Sequence, residues 1–341
     1  MGNENIIKRK ALYINGRFLT QQPTGVQRFA IDLVLELSQE IDCVILVPNL
    51  PLKDESLNHL DIKIVKGGNG YFWEQLTLPL YTNKKGLTLL NLCNMAPVFA
   101  KNSWVTIHDL AFIKNKAWFS FTFRFIYNLL IPIVVNRSKK VLTVSNTVRK
   151  EIIDEYQVYP NKVEVVYNKV SQEFLDAEPT EITIPYQEYF LVVGSVNPRK
   201  NYEWLCEFFD SNPDFKLVIV GGSNKNFKTI NKEFKNVHWV GFCDVSELKW
   251  LYTNAKGFVN FSLYEGFGIP TIEAMSVNRP IICSNIPVNK EVGGDEVVYV
   301  NLDDSVGFEK ALRNVSETQI SYNRFNYFCN IDRVNLFKRY L

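Results

Sequence analysis

Phe258-Val259-Asn260-Phe261-Ser262-Leu263-Tyr264-Glu265-Gly266-Phe267-Gly268-Ile269-Pro270-Thr271-Ile272-Glu273-Ala274-Met275 reads as a strand, a glycine loop and the start of a helix. The run Phe258–Phe261 is continuously apolar but for one Asn, as a strand covered on both faces should be. Pro270 suits the first turn of a helix, where its missing N–H does no harm. A helix is therefore expected from Pro270 to Val277. Gly266 and Gly268 let the backbone approach a ligand closely. The unpaired amides of Gly268 to Thr271 would face an anion or a sugar hydroxyl, helped by about half a positive charge of helix dipole. Glu265 lies on the loop and Glu273 about one helical turn in. Two carboxylates so held suit the hydroxyls of two sugars in one ligand. The alternative is a capped helix whose glutamates merely favour the dipole.

The same strand-to-helix rhythm extends in both directions. Downstream of residue 189, strands are expected at Tyr189–Val193, Phe215–Val220, Val237–Val240, Pro280–Cys283 and Val297–Val300. Helices fit at Tyr202–Phe209, Lys225–Phe234, Ser246–Tyr252 and Val306–Val315. Upstream, strands are expected at Ala11–Ile14, Val44–Val47, Ile62–Val65, Leu87–Asn91, Trp104–Ile107 and Val141–Val144. Helices fit from Gly25, at Tyr71–Leu80, at Trp118–Asn136 and at Thr147–Tyr156. Between the two series, Asp176–Ile184 is polar, holds Pro179 and reads as a linker. The fold class is therefore α/β, with two doubly wound parallel-sheet domains facing across a cleft. Ligands in such sheets bind at the carboxyl ends of the strands.

The 341 residues favour two domains. We expect 1–180 and 181–321 as the two α/β domains, and 322–341 as a helix packing back on the first. Lys and Arg total 38 against 36 Asp and Glu, a net charge of +2 that argues against a nucleic-acid binder. The six cysteines form no CxxC pair and no zinc spacing. They read as reduced, buried small hydrophobes of a cytosolic protein. The polar opening Met1–Ile6 carries no secretory or myristoylation pattern. The most apolar stretch, Phe125–Val135, falls far short of the ~20 residues a spanning helix needs. There is no GxGxxG, no GxxxxGK[ST] and no GxSxG, which weakens dehydrogenase, P-loop and α/β-hydrolase readings.

Glu265 and Glu273, with seven residues between them inside EGFGIPxxEAM, resemble the EX7E motif of retaining GT-B glycosyltransferases. The family most similar is GT4, the glycosyl transferases group 1. The resemblance implies a GT-B fold, with the first domain for the acceptor and the second for the nucleotide-sugar donor. It places Glu265 beside the transferred sugar and Glu273 on the ribose, with Gly266, Phe267, Gly268 and Ile269 lining the donor. Gly194-Ser195-Val196-Asn197-Pro198-Arg199-Lys200-Asn201 is similar to the family segment whose Arg and Lys hold the donor diphosphate. Two cations near a helix start oppose the dipole, which itself points to a function. The alternative is a solvated basic turn.

Three further segments look family-like. Pro23-Thr24-Gly25-Val26 resembles the N-terminal glycine-rich loop, with Thr-Gly where many members have Gly-Gly, and Gly25 would approach the donor phosphates. His108 in Thr106-Ile107-His108-Asp109-Leu110 matches a histidine that contacts the donor sugar. Val240-Gly241-Phe242-Cys243 matches a turn near the nucleobase, so Phe242 joins the donor set. A structural histidine and a plain hydrophobic turn are the respective alternatives.

The resemblance implies transfer from a GDP-, UDP- or dTDP-sugar with retention at the anomeric carbon, and with no metal or cofactor. Glu265, His108, Arg199 and Lys200 form the expected catalytic set. The acceptor would be a saccharide or lipid-linked saccharide of O-antigen, lipopolysaccharide, capsule or exopolysaccharide synthesis, and Asp109 and Trp118 are its candidate contacts. Trp118–Phe125 with Arg137, Lys139 and Lys140 suits a peripheral patch at the cytoplasmic face of the inner membrane. It suits the aromatic core of a long helix equally. A nucleotide-sugar epimerase and a non-catalytic nucleotide-sugar or glycan-binding protein are the competing functions.

Overall fold

The computed structural model describes residues 11–22, 24–222, 234–315 and 323–340. Pro23, nearly all of the helix expected at Lys225–Phe234, and the expected boundary at 321–322 lie outside the described residues.

Two parallel sheets carry the molecule. The first contains β1 (Leu12–Asn15), β2 (Cys43–Val47), β3 (Asp61–Ile64), β4 (Leu89–Asn91), β5 (Ser103–Thr106), β6 (Lys140–Thr143) and β7 (Val163–Val165), in the order β3-β2-β1-β4-β5-β6-β7. The second contains β8 (Phe190–Val193), β9 (Leu217–Val220), β10 (Val237–Gly241), β11 (Gly257–Asn260), β12 (Ile281–Ser284) and β13 (Val298–Val300), in the order β10-β9-β8-β11-β12-β13. The strand order reverses between β1 and β4, and again between β8 and β11. A crevice opens at the carboxyl ends of the strands at each such switch point. β2, β9 and β11 are buried over their whole length, as their apolar runs require. The edge strand β3 is the most open, with Ile64 59% exposed.

The helices pack on both faces of each sheet. Among the described residues, the α-helices of five residues or more are α1 (Gly25–Ser38), α2 (Leu78–Lys85), α3 (Phe121–Arg137), α4 (Asn146–Tyr156), α5 (Gln172–Asp176), α6 (Tyr202–Ser211), α7 (Val245–Asn254), α8 (Ile269–Ser276), α9 (Pro287–Gly293), α10 (Ser305–Asn314), α11 (Asn323–Cys329) and α12 (Val334–Lys338). A helical turn Gly70–Phe72 and a π turn Trp73–Thr77 run directly into α2. The helix expected from Trp118 begins instead at Phe121. Ser120 caps it, its side chain accepting from the Phe123 amide, and a short 3-10 turn over Lys116–Trp118 precedes it. β7, α5 and α9 are additions to the expected elements: Glu164 interrupts the apolar run of β7, and five and seven residues are too short to show a helical period. Gly221, which follows β9, marks a close approach of two strand-end loops. A Cβ at Gly221 would sit 2.0 Å from the Gly194 carbonyl oxygen.

The core is continuous between the halves. One apolar cluster holds Leu12, Ile14 and Leu33 of the first half, Leu191, Phe258 and Ile281 of the second, and Phe328 and Phe337 of the C-terminal segment. That segment is two short helices rather than one. Phe337 stacks on Trp104 at 5.6 Å, and Arg333 Nε donates to Glu36 at 2.6 Å. All six cysteines are free. Cys43, Cys206 and Cys283 are buried, while Cys93, Cys243 and Cys329 are only half-buried. No helix among the described residues is long and apolar enough to cross a membrane.

Candidate active site

The loop after β8 and the loop after β11 meet at one carboxylate. Asn197 Oδ1 accepts from the Arg199 amide at 3.0 Å and shapes a 3-10 turn over Pro198–Lys200. The turn ends at Asn201 in the left-handed region, and α6 follows. Arg199 Nη1 lies 2.5 Å from Glu265 Oε2, and Lys200 Nζ lies 2.6 Å from Glu265 Oε1. Ser262 Oγ donates to the same Oε1 at 2.8 Å. Glu265 and Lys200 are both buried. Burial by itself would raise the Glu265 pKa, but the charges of Arg199 and Lys200 outweigh it and hold the carboxyl at about 2. Burial pushes the Lys200 ammonium down against the pull of Glu265, whereas Arg199 stays firmly charged. Two cations against one carboxylate leave one positive charge in excess, in a water-poor crevice where it favours an anion.

Glu273 stands on the first turns of α8 and is also buried. Tyr252 donates to its Oε2 at 2.9 Å, and burial raises its pKa. Its carboxylate forms part of the wall of a cavity of about 520 Å³ shared with Arg28, Asp32, Phe174, Val245 and Leu248. Gly268 adopts φ +93, a conformation that favours glycine. Of the amides expected to face a ligand, Pro270 has none and Thr271 donates to the Gly268 carbonyl at 2.9 Å. Gly268 and Ile269 therefore remain as donors. The Phe267 side chain is buried against Phe328, ring centroids 5.2 Å apart, so only its backbone faces the crevice.

His108 lies on the other bank. Its Nε2 is 2.7 Å from the Leu92 carbonyl, which can only accept, so Nε2 carries the proton and Nδ1 keeps a lone pair. Burial lowers its pKa and favours the neutral ring. Phe29 of α1 packs edge-on at 4.9 Å, which brings the start of α1, and with it Gly25, to the same bank. A Cβ at Gly25 would meet nothing within 4 Å. A Cβ at Gly266 would come 2.3 Å from the His108 carbonyl oxygen, so the two banks touch there. Asp109 Oδ1 accepts from the Ala111 amide at 3.0 Å, and Asp109 borders a second cavity of about 140 Å³. Arg199 lines that cavity too.

Glu265, Arg199, Lys200, Glu273, His108, Asp109 and Gly266 thus converge. One expected residue, Trp118, does not join them: it is half-buried in its 3-10 turn, and Phe119 lines the second cavity in its place. Phe242 is 85% exposed and lies over Gly222, after the register shift at Trp239 and the left-handed Gly241 at the carboxyl end of β10.

Several neighbours have no signal in the sequence. Tyr264 accepts from the Leu110 amide at 3.1 Å and donates to Glu151 at 2.6 Å, tying the second domain to the first. Glu291 of α9 accepts from the Asn146 and Thr147 amides at 2.6 and 2.8 Å, capping α4 across the crevice. Buried Glu74 accepts from Asn15 Nδ2 at 2.9 Å at the carboxyl end of β1. Each pairs residues far apart in the chain, a relation no local spacing records. Among the described residues no group of three or more His, Cys, Asp or Glu is placed to hold a metal ion.

The chain is similar to known proteins. The family model "Glycosyltransferase Family 4" matches residues 23–174, and "Glycosyl transferases group 1" matches 178–328. O-antigen chain mannosyltransferase RfbU of Salmonella typhimurium is 34% identical over 239 residues, 67% of this chain and 65% of that protein. O-antigen chain mannosyltransferase B of Escherichia coli is 27% identical over 188 residues, 50% of this chain and 49% of that one. The match thus spans less than two thirds of the length of these curated relatives. Anabaena Alr3699/HepE, solved with UDP and glucose, superposes with a TM-score of 0.71 at 14% identity, over 97% of this chain and 98% of that one. That likeness is one of fold.

Proposed function

The chain belongs to the family 4, group 1 glycosyltransferases, and from that premise we propose that it moves a hexose from a nucleoside-diphosphate sugar to a saccharide acceptor in bacterial O-antigen or lipopolysaccharide synthesis. The relatives named as mannosyltransferases support mannose as the first sugar to try. The observation that carries the reading is the pair Arg199 and Lys200 closing on buried Glu265 at the carboxyl ends of β8 and β11. Their excess positive charge suits the diphosphate, and Glu273 suits the ribose. The large cavity beyond Glu273 has room for the nucleoside.

In this reading the reaction proceeds with retention. The bond between the anomeric carbon and the diphosphate oxygen breaks. The acceptor oxygen bonds the same face, and its proton passes to the departing phosphate oxygen. Arg199, Lys200 and the Gly268 and Ile269 amides stabilise the charge that develops on the leaving group, the work a divalent cation does elsewhere. His108 Nδ1 and Glu265 position the sugar. Asp109 faces the acceptor.

The reading also places the protein against the cytoplasmic face of the inner membrane. Phe121, Phe125 and Leu129 recur every fourth residue on α3 and are 77%, 61% and 56% exposed, with Arg137 and Lys139 near its end. Such a stripe suits a lipid-linked acceptor.

The test begins with thermal stabilisation by GDP, UDP and dTDP. A ligand at 100 times its dissociation constant adds ~2.7 kcal/mol. With the sugar donor so identified, Arg199→Ala lowers transfer at least about tenfold, because a lost charge-assisted bond is worth ~1.5–3 kcal/mol. Unchanged transfer in a folded Arg199→Ala protein removes the diphosphate from this site.

A further inference from the structure

We propose that the cavity between Asp109 and Arg199 is a subsite for one pyranose ring of the acceptor, held by Tyr127 and Asn197 against the aromatic wall of Phe119 and Phe123. The inference rests on the transferase reading and names the chemistry of its acceptor side.

The cavity measures about 140 Å³, the scale of a single sugar ring rather than of an extended glycan. Both domains build it. Asn94, Asp109, Phe119, Phe123 and Tyr127 come from the first, and Asn197 and Arg199 from the second. The α3 helix and the turn before it supply a stacked ladder. Phe119 and Phe123 lie 5.1 Å apart and Phe123 and Tyr127 3.9 Å apart, nearly parallel.

The polar groups around the ladder are each half used. Asn94 Oδ1 accepts from the His108 amide at 2.7 Å, and Asn197 Oδ1 from the Arg199 amide at 3.0 Å. A backbone amide only donates, so the atom facing it is the oxygen in both cases. The two amide NH2 groups are left without a partner among the described residues. Asp109 spends one oxygen on the Ala111 amide and keeps the other. The Tyr127 hydroxyl has no hydrogen bond among the described residues.

Two amide donors, one carboxylate oxygen and one hydroxyl therefore surround an aromatic wall. A pyranose offers the complement, hydroxyls around its rim and a C–H face for the rings. Pockets of this kind fix a ligand with a few convergent polar groups on apolar walls. Position gives the subsite its role. Arg199 links the cavity to Glu265, and His108 adjoins both Asn94 and Asp109. A ring seated here lies beside Arg199 and so next to the sugar that the transferase reading places at Glu265.

Saturation-transfer NMR tests this with methyl α-mannopyranoside, methyl β-galactopyranoside and methyl N-acetyl-β-glucosaminide. The protein is held with whichever of GDP, UDP or dTDP stabilises it most. Irradiating aromatic protons is expected to saturate the C–H protons of at least one glycoside. Tyr127→Phe keeps the ring and removes only the hydroxyl. It should weaken that glycoside at least about threefold, the loss of one hydrogen bond. Asn197→Ser keeps an oxygen to cap the Arg199 amide but removes the NH2, and should weaken it similarly. Nucleoside-diphosphate affinity should hold within about twofold in Tyr127→Phe. In turnover the same variant should raise the acceptor KM with little change in the donor KM. Absence of saturation on all three glycosides overturns the subsite, as does an unchanged acceptor affinity and KM in both variants. Failure of every nucleoside diphosphate to bind the unaltered protein would instead strike the transferase reading itself.

Discussion

Asp32 and Glu273 share one cavity wall, and burial pushes both carboxyls above their usual range. For Asp32 the rise is from 3.8 to about 6, with Arg333 and Arg28 opposing it only in part. The sign of the consequence follows from linkage. Below pH 3.8 the group is protonated in both folded and unfolded chains and costs nothing. Between pH 4 and pH 6 the unfolded chain ionises first, so stability falls as pH rises, and above pH 6 the full cost is present. Asp32→Asn mimics the protonated state. It should raise the unfolding free energy by up to about 3 kcal/mol at pH 8, from a shift of roughly two units at 1.36 kcal/mol each, and leave it unchanged near pH 3. Denaturant melts at the two pH values check this, and an equal effect at both refutes it. Glu265 runs the other way. Its pKa is depressed, so its contribution is present above about pH 4.5 and lost as pH falls towards 2. The two carboxylates of one motif are thus tuned in opposite senses. Glu265 is locked as a charge between two cations, and Glu273 is an acid whose pKa burial raises against the hydrogen bond from Tyr252.

At the scale of the element, α3 is apolar on two faces. Phe123, Tyr127 and Ile131 line the small cavity, while Phe121, Phe125 and Leu129 face outward. If the outward stripe meets lipid, replacing Phe121 and Phe125 together by Ser should cut co-sedimentation with phosphatidylglycerol vesicles at least about tenfold, since each buried Phe is worth ~1.5–3 kcal/mol. Added salt should weaken binding of the unaltered protein through its basic residues. Vesicle binding that survives the double substitution would assign the stripe another role. The same helix shows where sequence reading stops. A run such as Phe119-Ser120-Phe121-Thr122-Phe123 marks an aromatic segment, but with both faces apolar no period says which rings turn in. The strands β2, β9 and β11 were legible because each is an unbroken apolar run that ends near a turn. The donor side was legible because Arg199, Lys200, Glu265 and Glu273 fall in two contiguous segments, each directly after a strand. The acceptor cavity draws on residues near 94, 109, 119–131 and 197, and only the fold brings those together. Asp109 could be named from its place at a strand end, and Trp118 was one residue off the ring that lines the wall.

The whole molecule depends on how closely its two halves meet. Ser145 Oγ donates to the Gly266 carbonyl at 2.8 Å, Tyr264 bridges Leu110 and Glu151, and Glu291 caps α4. All of these contacts sit along one rim of the crevice. Gly266 is the tightest point, where the backbone of the motif loop lies against the His108 backbone without room for a methyl group. That closeness, rather than an unusual backbone angle, explains the glycine, since Gly266 is not among the positive-φ residues. Gly266→Ala cannot be absorbed by a flexible side chain, because the obstructing atom is a carbonyl oxygen. Either the motif loop shifts or the halves separate. Interdomain contacts of this kind give way more readily than a packed core. Arg199, Lys200, Glu265 and Glu273 belong to the second half, whereas Arg28 and Asp32 of the nucleoside cavity belong to the first, so nucleoside-diphosphate affinity is expected to fall, but by less than transfer does. Transfer should fall at least about tenfold, because misplacement by 1 Å is enough to cost ~100-fold in a reaction that depends on alignment. Small-angle scattering should show a larger radius of gyration than the unaltered protein in the presence of the nucleotide. Transfer and radius both unchanged would mean that the contact at Gly266 does not set the working distance between donor and acceptor. Equal losses of nucleotide affinity and transfer would place the damage in the motif loop instead of between the halves.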